Sequence, residues 1–350
     1  KTTYNGNYGL NAQWTVYNGS KRLKTIEQEK LNNRVADLDV ATSENDIEQS
    51  IAQVYIQILY AAESVKVNEN TLQVSEAQRD RGKQLLDAGS IARSDYAQLE
   101  AQVSTDRYQL VTAQATLQDY KLQLKQLLEL DGEQEMQVYL PALGDENVLS
   151  PLPTKTDVFR SAVALRPEIE ASKLSVEASE LGIGIAKSGY LPSVSLTAGI
   201  GTNHTSGSDF TFGEQVKNGW NNSIGLSISV PIFNNRQTKS AVEKAKLQYQ
   251  TSQLTLLDEQ KTLYKTIEGL WLDANSAQQR YAAAIEKLHS TQTSYELVSE
   301  QFNAGMKNTV ELLTEKNNLL QAQQELLQSK YMAILNTQLL KFYQGDKITL

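Results

Sequence analysis

The chain has 350 residues, of which 40% are hydrophobic and 21% are charged, and its formal net charge is −8. It has no cysteine and only two histidines, which excludes disulfides and thiolate metal sites and leaves little for histidine-based catalysis. The 33 basic and 41 acidic residues form no block of one sign, so a nucleic acid partner is not expected. We therefore predict a protein that is not an enzyme and that has no catalytic residue, metal or cofactor.

The first predicted element is a β-strand over about residues 4–17. Apolar residues such as Leu10 and Trp14 alternate in it with polar residues such as Asn11 and Gln13. Alternation of this length is typical of a membrane barrel strand with its apolar side toward lipid, and equally of a soluble strand packed on helices. The pattern alone does not decide between the two.

Two long helical segments are predicted, at about 20–130 and 236–343. Neither contains proline, because all six prolines lie between residues 141 and 231. Apolar residues in each segment are spaced alternately by four and three residues, which is the heptad pattern of a coiled coil. The two stripes are Ile47, Ile51, Val54, Ile58, Ala61, Val65 and Leu263, Ile267, Leu270, Ala274, Ala277, Tyr281. A helix of more than sixty residues would be roughly 100 Å long, which predicts rods instead of a compact domain.

The chain contains an internal repeat with an offset of 216 residues. This offset superimposes the two apolar stripes and relates Asp87-Ala88-Gly89 to Asn303-Ala304-Gly305. We predict a tandem duplication in which each half reads strand, long helix, turn and shorter helix. The first repeat covers 1–216, including a connecting segment at about 131–165 and a strand at 193–203, and the second repeat covers 217–350.

Two further strands are predicted in the second half of the chain, at about 192–203 and 222–233, with a polar loop over 201–209 between them. By the repeat, the partner of the first strand would lie before Lys1, giving four strands in all. Four strands cannot close a membrane barrel, because the smallest spanning barrels have eight. If the strands meet lipid, the barrel must be shared, with eight strands from two chains or twelve from three.

Three motifs are similar to those of a known family. Arg166-Pro167-Glu168 begins a helix that leads through Tyr190-Leu191-Pro192-Ser193 into a strand, Val230-Pro231-Ile232-Phe233-Asn234 follows the next strand, and Phe302-Asn303-Ala304-Gly305 forms a helix–turn–helix tip. Their order, together with the duplication, resembles the TolC family of outer membrane efflux proteins over essentially the whole chain.

The resemblance implies a mainly α protein with a membrane β-barrel part, located in the cell outer membrane. Three copies would share a twelve-stranded β-barrel, formed by about 4–17, 192–203 and 222–233. An α-helical barrel, continuous with it, would project into the periplasm and be formed by about 20–130, 166–188 and 236–343. The segment 131–165 would pack around the middle of the helical barrel as an equatorial band. The implied partners are a second and third copy of the chain, a periplasmic adaptor protein, an inner-membrane pump of the RND or ABC type and outer membrane lipid.

The resemblance also assigns roles to single residues. The adaptor-docking tips would be Ala88, Gly89, Ser90 and Ala304, Gly305, Met306. Asp95 and Glu311 match positions that form an acidic ring at the periplasmic entrance, and Lys307 matches a basic residue that bonds between helices to hold it shut. The alternatives are tip glycines that are plain helix caps, acids that cap a helix or face solvent, and a surface lysine. A second acidic position of the family pattern is Thr314 here, which makes the ring thinner.

Four aromatic residues near the predicted strand ends, Tyr4, Tyr8, Trp14 and Trp220, fit the aromatic girdle of a membrane barrel or, alternatively, ordinary strand positions. The function implied is passive exit of drugs or other small molecules delivered by a pump. A type I secretion outlet for proteins is the alternative, and a structural coiled-coil protein with a soluble β-hairpin is the third interpretation.

Overall fold

The computed structural model describes residues 2–131, 136–141, 143–144 and 148–348. Of the predicted equatorial segment 131–165, residues 132–135, 142 and 145–147 lie outside these ranges. The elements in chain order are β1 (Asn5–Asn18), α1 (Lys21–Asp87), α2 (Arg93–Leu127), α3 (Lys155–Leu165), α4 (Pro167–Lys187), β2 (Ser193–Thr205), α5 (Phe212–Asn218), β3 (Asn221–Ser229), α6 (Gln237–Asn303) and α7 (Thr309–Gln344). No helix of the described ranges is both long enough and apolar enough to cross a membrane.

The duplication fits the structure at the level of single residues. Helices α1 and α6 each have 67 residues, and both of their ends are related by the offset of 216. The turns that precede them also correspond, because Gly19 and Ser20 have positive φ angles of 66° and 63°, and Asn235 and Arg236 have 53° and 63°. The two halves therefore share one backbone path from the strand into the long helix.

The three strands form one antiparallel sheet with β2 in the centre. Leu10 of β1 lies opposite Ile200, and Leu196 of β2 pairs with Trp14 on one side and Leu226 on the other. Since neighbouring side chains in a strand point to opposite faces, these five residues share one face of the sheet. Serine, threonine, glycine, asparagine and glutamine dominate the other face.

The end of β2 differs from the sequence prediction of a polar loop over 201–209. The strand continues to Thr205, whose partner is Asn5, and Thr202 lies opposite Tyr8. Pairing with β1 satisfies the backbone hydrogen bonds of this segment whatever its side chains are, which is why its polarity does not end the strand. At the other end of the sheet, β3 stops at Ser229, just before Pro231, which cannot donate a backbone hydrogen bond.

Helix α5, the short helix that joins β2 to β3, is not among the elements predicted from the sequence. Its start is fixed by a capping box in which Glu214 N–H donates to the Thr211 hydroxyl at 3.4 Å and Thr211 N–H donates to the Glu214 carboxylate at 2.9 Å. The pattern Thr-x-x-Glu was the available signal for this helix.

The chain divides into two compact units that do not follow the boundary between the repeats. Lys1–Val40 with Pro167–Gln260 forms one unit, which holds the sheet, and Ala41–Arg166 with Lys261–Leu350 forms the other. In the second unit Ile56, Ala277, Tyr281, Tyr331 and Ile334 are members of one buried hydrophobic cluster. Both units thus draw on both repeats, and the second contains both predicted tips.

Candidate functional site: helix tips and an exposed apolar sheet face

The first tip ends α1 with a Schellman motif. The Gly89 N–H donates to the Leu86 carbonyl at 2.9 Å, and the Ser90 N–H donates to the Leu85 carbonyl at 2.8 Å. Gly89 has a φ of 75°, which glycine adopts without steric cost. A Cβ at Gly89 would meet no atom within 4 Å, so the tip is open on this side.

The second tip, at the end of α6, repeats this geometry. The Gly305 N–H donates to the Phe302 carbonyl at 2.9 Å, the Met306 N–H donates to the Gln301 carbonyl at 2.8 Å, and Gly305 has a φ of 73°. A Cβ at Gly305 would also meet nothing within 4 Å, and Met306 is 71% exposed. The two predicted docking tips are therefore built alike and are both exposed.

The two predicted entrance acids cap the helices that follow the tips. The Asp95 carboxylate accepts the backbone N–H of Ala92 at 3.3 Å, and the Glu311 carboxylate accepts the backbone N–H of Asn308 at 3.2 Å. Each acid thus satisfies a backbone donor at the positive end of a helix. This local role explains the acids' position in both repeats without requiring a ring.

Lys307 binds Glu311 within its own tip, with 2.5 Å between its Nζ and the carboxylate oxygen. This hydrogen bond and the one from the Asn308 N–H lower the pKa of Glu311. The negative charge of Glu311 is therefore compensated locally, whereas Asp95 makes no ion pair with the described residues. Of the two predicted entrance acids, Asp95 carries the less compensated charge.

A small hydrophobic cluster holds the two tips together. Leu99 of α2, Phe302 of α6 and Leu312 of α7 are 1%, 3% and 0% exposed and pack against one another, with Leu85 of α1 at their side. Each of the four helices that meet at the tips contributes at least one side chain. The predicted tip residues are therefore brought into one region of the same unit.

The sheet presents its apolar face to the outside of the chain. Leu10, Ile224 and Leu226 are 71%, 84% and 66% exposed on this face. Of the predicted girdle residues, Tyr8 and Trp14 lie on the same face of β1, while Tyr4 precedes β1 and Trp220 precedes β3. A contiguous exposed apolar face of this kind marks a surface that meets lipid or another protein.

Comparison with known families identifies the chain. The family model for outer membrane efflux proteins matches residues 158–345, which is more than half of the chain. The chain belongs to the outer membrane efflux protein family. It is accordingly an outer membrane protein of a channel family and not an enzyme. Membership favours the channel interpretation over a structural coiled-coil protein.

Individual relatives agree with this assignment. The chain is 25% identical over 335 residues to the outer membrane protein TolC of Escherichia coli, covering 92% of this chain and 66% of TolC. It is 23% identical over 297 residues to the alkaline protease secretion protein AprF of Pseudomonas aeruginosa, covering 84% of this chain and 60% of AprF. The chain thus spans less than two thirds of the length of these two relatives.

The fold is that of a solved family member. A crystal structure of CusC, reported with conformational changes that accompany folding and transmembrane channel formation, superimposes with a TM-score of 0.82 at 18% identity. The match covers 98% of this chain and 82% of that chain.

This chain also contains a buried polar cluster that is not among the sites predicted from its sequence. Lys316 of α7 donates to the Ser75 hydroxyl of α1 and to the Asp106 carboxylate of α2, and the three residues are 4%, 2% and 1% exposed. The Ser75 hydroxyl also donates to Asp106, and the Gln102 amide donates to the other Asp106 oxygen at 2.8 Å. The cluster therefore ties together three helices near the tips.

The electrostatics of this cluster depend on burial. Burial lowers the pKa of Lys316, and its hydrogen bond and Coulomb interaction with Asp106 oppose that effect.

A signal for this cluster was present in the sequence, because Asp106 continues the four–three spacing of Leu99 and Val103 on α2. Lys316 likewise lies between Leu312 and Leu319 on α7. A charged residue within such an apolar stripe must find a buried partner.

Proposed function

We propose that this chain is the protomer of a homotrimeric outer membrane channel. The channel gives passive exit to drugs or other small molecules, which an inner-membrane pump of the RND or ABC type delivers through a periplasmic adaptor protein. One observation carries the proposal: the chain belongs to this family, and its sheet has one exposed apolar face and one face of small polar side chains. Such a sheet suits a barrel wall between lipid and an aqueous lumen.

The open edges of the sheet support assembly from several copies. β1 and β3 are each paired on one side within the described residues. Unpaired backbone groups at such edges cannot face hydrocarbon, since each would cost several kcal/mol. Three copies that share one barrel close these edges and leave the polar face toward the lumen.

The tips support a docking and gating role at the periplasmic entrance of the channel. Both tips are exposed and have open space around their glycines, so a helical hairpin of the adaptor can approach the backbone closely. Asp95, Glu311 and Lys307 follow within a few residues and would line the periplasmic entrance in the trimer. Repeated by threefold symmetry, the carboxylates would favour cations over anions.

The test is the native mass of the full-length protein, extracted from outer membrane fractions into detergent. Three copies of these 350 residues, at 38.9 kDa each, contribute about 117 kDa, before detergent and any other part of the protein are counted. We expect a trimer that is recovered from the outer membrane only with detergent. A monomer or dimer that remains in solution without detergent would contradict the shared barrel.

A type I secretion outlet for proteins is the second candidate, and similarity to AprF, an alkaline protease secretion protein, favours it. The two candidates separate in cells that lack their own channel and express this protein with either an RND or an ABC pump and its adaptor. Restored drug resistance with the RND pump supports small-molecule efflux. Release of a protein substrate with the ABC pump alone supports secretion.

A further inference from the structure

Helix α5 is fixed to one end of the sheet, beyond the last residues that β2 and β3 share. The Thr202 hydroxyl of β2 donates to the Val216 carbonyl of α5 at 2.8 Å. The Thr205 N–H donates to the Gln215 side-chain oxygen at 2.8 Å, and Gln215 in turn donates to the Phe210 carbonyl at 2.7 Å. The helix therefore has a defined position on the sheet.

The aromatic side of α5 continues the apolar face of the sheet. The Phe212 ring lies 6.3 Å from Tyr8 in an edge-to-face contact and 5.0 Å from His204, measured between ring centroids. Tyr8 and His204 share their face with Leu10 and Ile200, because all four lie at even-numbered positions of unbroken strand pairing. Phe212 thus extends the exposed apolar face toward the end of the sheet.

Three large aromatic side chains around α5 remain exposed despite these contacts. Phe210, Phe212 and Trp220, here termed the aromatic patch, are 60%, 54% and 56% exposed. Glu214 and Lys217 of the same helix are exposed as well. Aromatic rings beside charged groups suit the boundary between hydrocarbon and headgroups, where one side is apolar and the other is wet.

The position of α5 along the strands matches that boundary. The part of β1 beside α5, Asn5 to Tyr8, lies about 3.5 to 6.5 residues from the middle of the strand. At about 3.4 Å per residue and a tilt of about 40°, this corresponds to roughly 9–17 Å from the middle of the strand. Half of the ~30 Å hydrocarbon core is about 15 Å.

We propose that α5 and the aromatic patch form an interfacial anchor, which binds the acyl–headgroup boundary of membrane lipid at the Thr205 end of the sheet. The inference rests on the proposed function, since it requires the apolar sheet face to meet lipid. The anchor is a lipid-binding element outside the strands, in addition to the apolar face of the sheet. The anchor would fix the height of the sheet in the membrane.

The test uses full-length variants with a single tryptophan, reconstituted into vesicles of brominated phosphatidylcholine. Bromine quenches tryptophan fluorescence on contact. Two kinds of vesicle are compared, one with bromine near the carbonyl end of the acyl chains and one with bromine near the methyl end. Replacing Trp14 and Trp271 by phenylalanine leaves Trp220 as the anchor reporter. A second variant also carries Trp220→Phe and gains Leu10→Trp, which reports on the middle of the sheet face.

We expect Trp220 to be quenched more strongly by bromine near the carbonyl end, and the Leu10→Trp reporter more strongly by bromine near the methyl end. If the Leu10→Trp reporter is quenched and Trp220 is not, the anchor is wrong while the membrane sheet stands. Stronger quenching of Trp220 near the methyl end also overturns the interfacial placement. If neither reporter is quenched in vesicle-bound protein, the proposed membrane sheet itself fails.

A matched control tests whether the aromatic patch holds Trp220 at the interface. In the Trp220 reporter, Phe210→Ser with Phe212→Ser should reduce quenching by bromine near the carbonyl end. The same pair of changes should leave the Leu10→Trp reporter unaffected, which shows that the sheet is still inserted. Unchanged Trp220 quenching would show that the two phenylalanines do not anchor α5.

Discussion

At the scale of single residues, the buried Lys316 cluster carries the largest energetic consequence. A charge at this depth is tolerated only because Asp106 and Ser75 satisfy it. Removing one partner leaves an uncompensated buried charge, while removing both leaves an apolar contact between helices. The single change should therefore be costly, and the second change should restore most of the lost stability.

We expect Lys316→Met to destabilise the protein by about 3–5 kcal/mol, because it leaves the Asp106 carboxylate buried without a cation. Combining it with Asp106→Leu should recover most of that loss. Thermal unfolding in detergent, followed by circular dichroism, measures both effects. The control is Lys246→Met, which breaks an exposed pair with Glu243 at 2.9 Å and should cost under about 1 kcal/mol. Equal effects of the Lys316 and Lys246 changes would contradict the role of the cluster.

A second residue-scale contrast comes from the turns that precede the two long helices. Gly19 and its repeat counterpart Asn235 both have positive φ angles, but only Gly19 is crowded. A Cβ at Gly19 would lie 2.8 Å from the Ser188 carbonyl oxygen and 2.8 Å from the Leu191 Cβ. The same backbone conformation therefore allows asparagine in one repeat and requires glycine in the other.

Gly19→Ala should destabilise the protein by at least about 2 kcal/mol, through both backbone strain and the clash with Ser188. Asn235→Ala is the matched control and should cost about 1 kcal/mol, from backbone strain alone. Melting temperatures of the two variants, measured side by side, give the comparison. The predicted crowding is wrong if Asn235→Ala costs as much as Gly19→Ala.

At the scale of elements, the backbone conformation of a tip can be tested separately from the surface that the tip presents to a partner. Gly89 needs a positive φ, which asparagine also tolerates, and it has free space for a side chain. Asparagine at this position would therefore keep the turn and still obstruct a partner that approaches the backbone. This distinguishes the proposed adaptor contact from a purely structural helix end.

We expect Gly89→Asn to weaken binding of the periplasmic adaptor, measured by pull-down from membranes of cells that express both proteins, with little change in melting temperature. Gly207→Asn is the matched control, since Gly207 also has a positive φ and open space but lies in the loop between β2 and α5. It should leave adaptor binding intact. Unchanged binding in Gly89→Asn would argue that this tip is only a helix end.

The elements also show which parts of the fold the sequence contains. Heptad stripes and the lack of proline predict both long helices, because the apolar residues on the buried side of a helix recur every three to four residues. The extension of β2 through Thr205 is not predictable from its own residues, since its partner lies in β1, almost 200 residues earlier. The spacing marks Asp106 and Lys316 as charges within apolar stripes, but it does not show that they pair, because the members of the cluster come from three helices.

The predicted site residues are recovered unevenly for physical reasons. Positive φ at Gly89 and Gly305 follows from glycine at the end of a long helix, so the tips could be placed from the sequence. The pairing of Lys307 with Glu311 is a side-chain contact that their four-residue spacing permits but does not require. The sequence gives the family position of Lys307 but does not choose between a bond within the tip and a bond to another helix.

At the scale of the whole molecule, the charges at the tips should determine the ion preference of the proposed channel. Asp95→Asn should lower cation selectivity more than the double change Lys307→Met with Glu311→Gln, because the double change removes a pair whose two charges already compensate each other. Reversal potentials in planar bilayers under a salt gradient measure the difference. Lys307→Met should raise cation selectivity, since it exposes the Glu311 charge. An effect of the double change as large as that of Asp95→Asn would argue against compensation of Glu311 by Lys307.

The equal lengths of α1 and α6 constrain how this protein can change over evolution. Deleting one residue from either helix turns every later side chain by about 100° around the helix axis and shortens the path by about 1.5 Å. The tip of the altered helix would then differ in height and in rotation about the helix axis from the tip of the other repeat. Length changes in these helices should therefore be accepted as matched pairs, or in multiples of seven that restore the apolar stripe. A family member with longer or shorter helices is expected to have changed both repeats together.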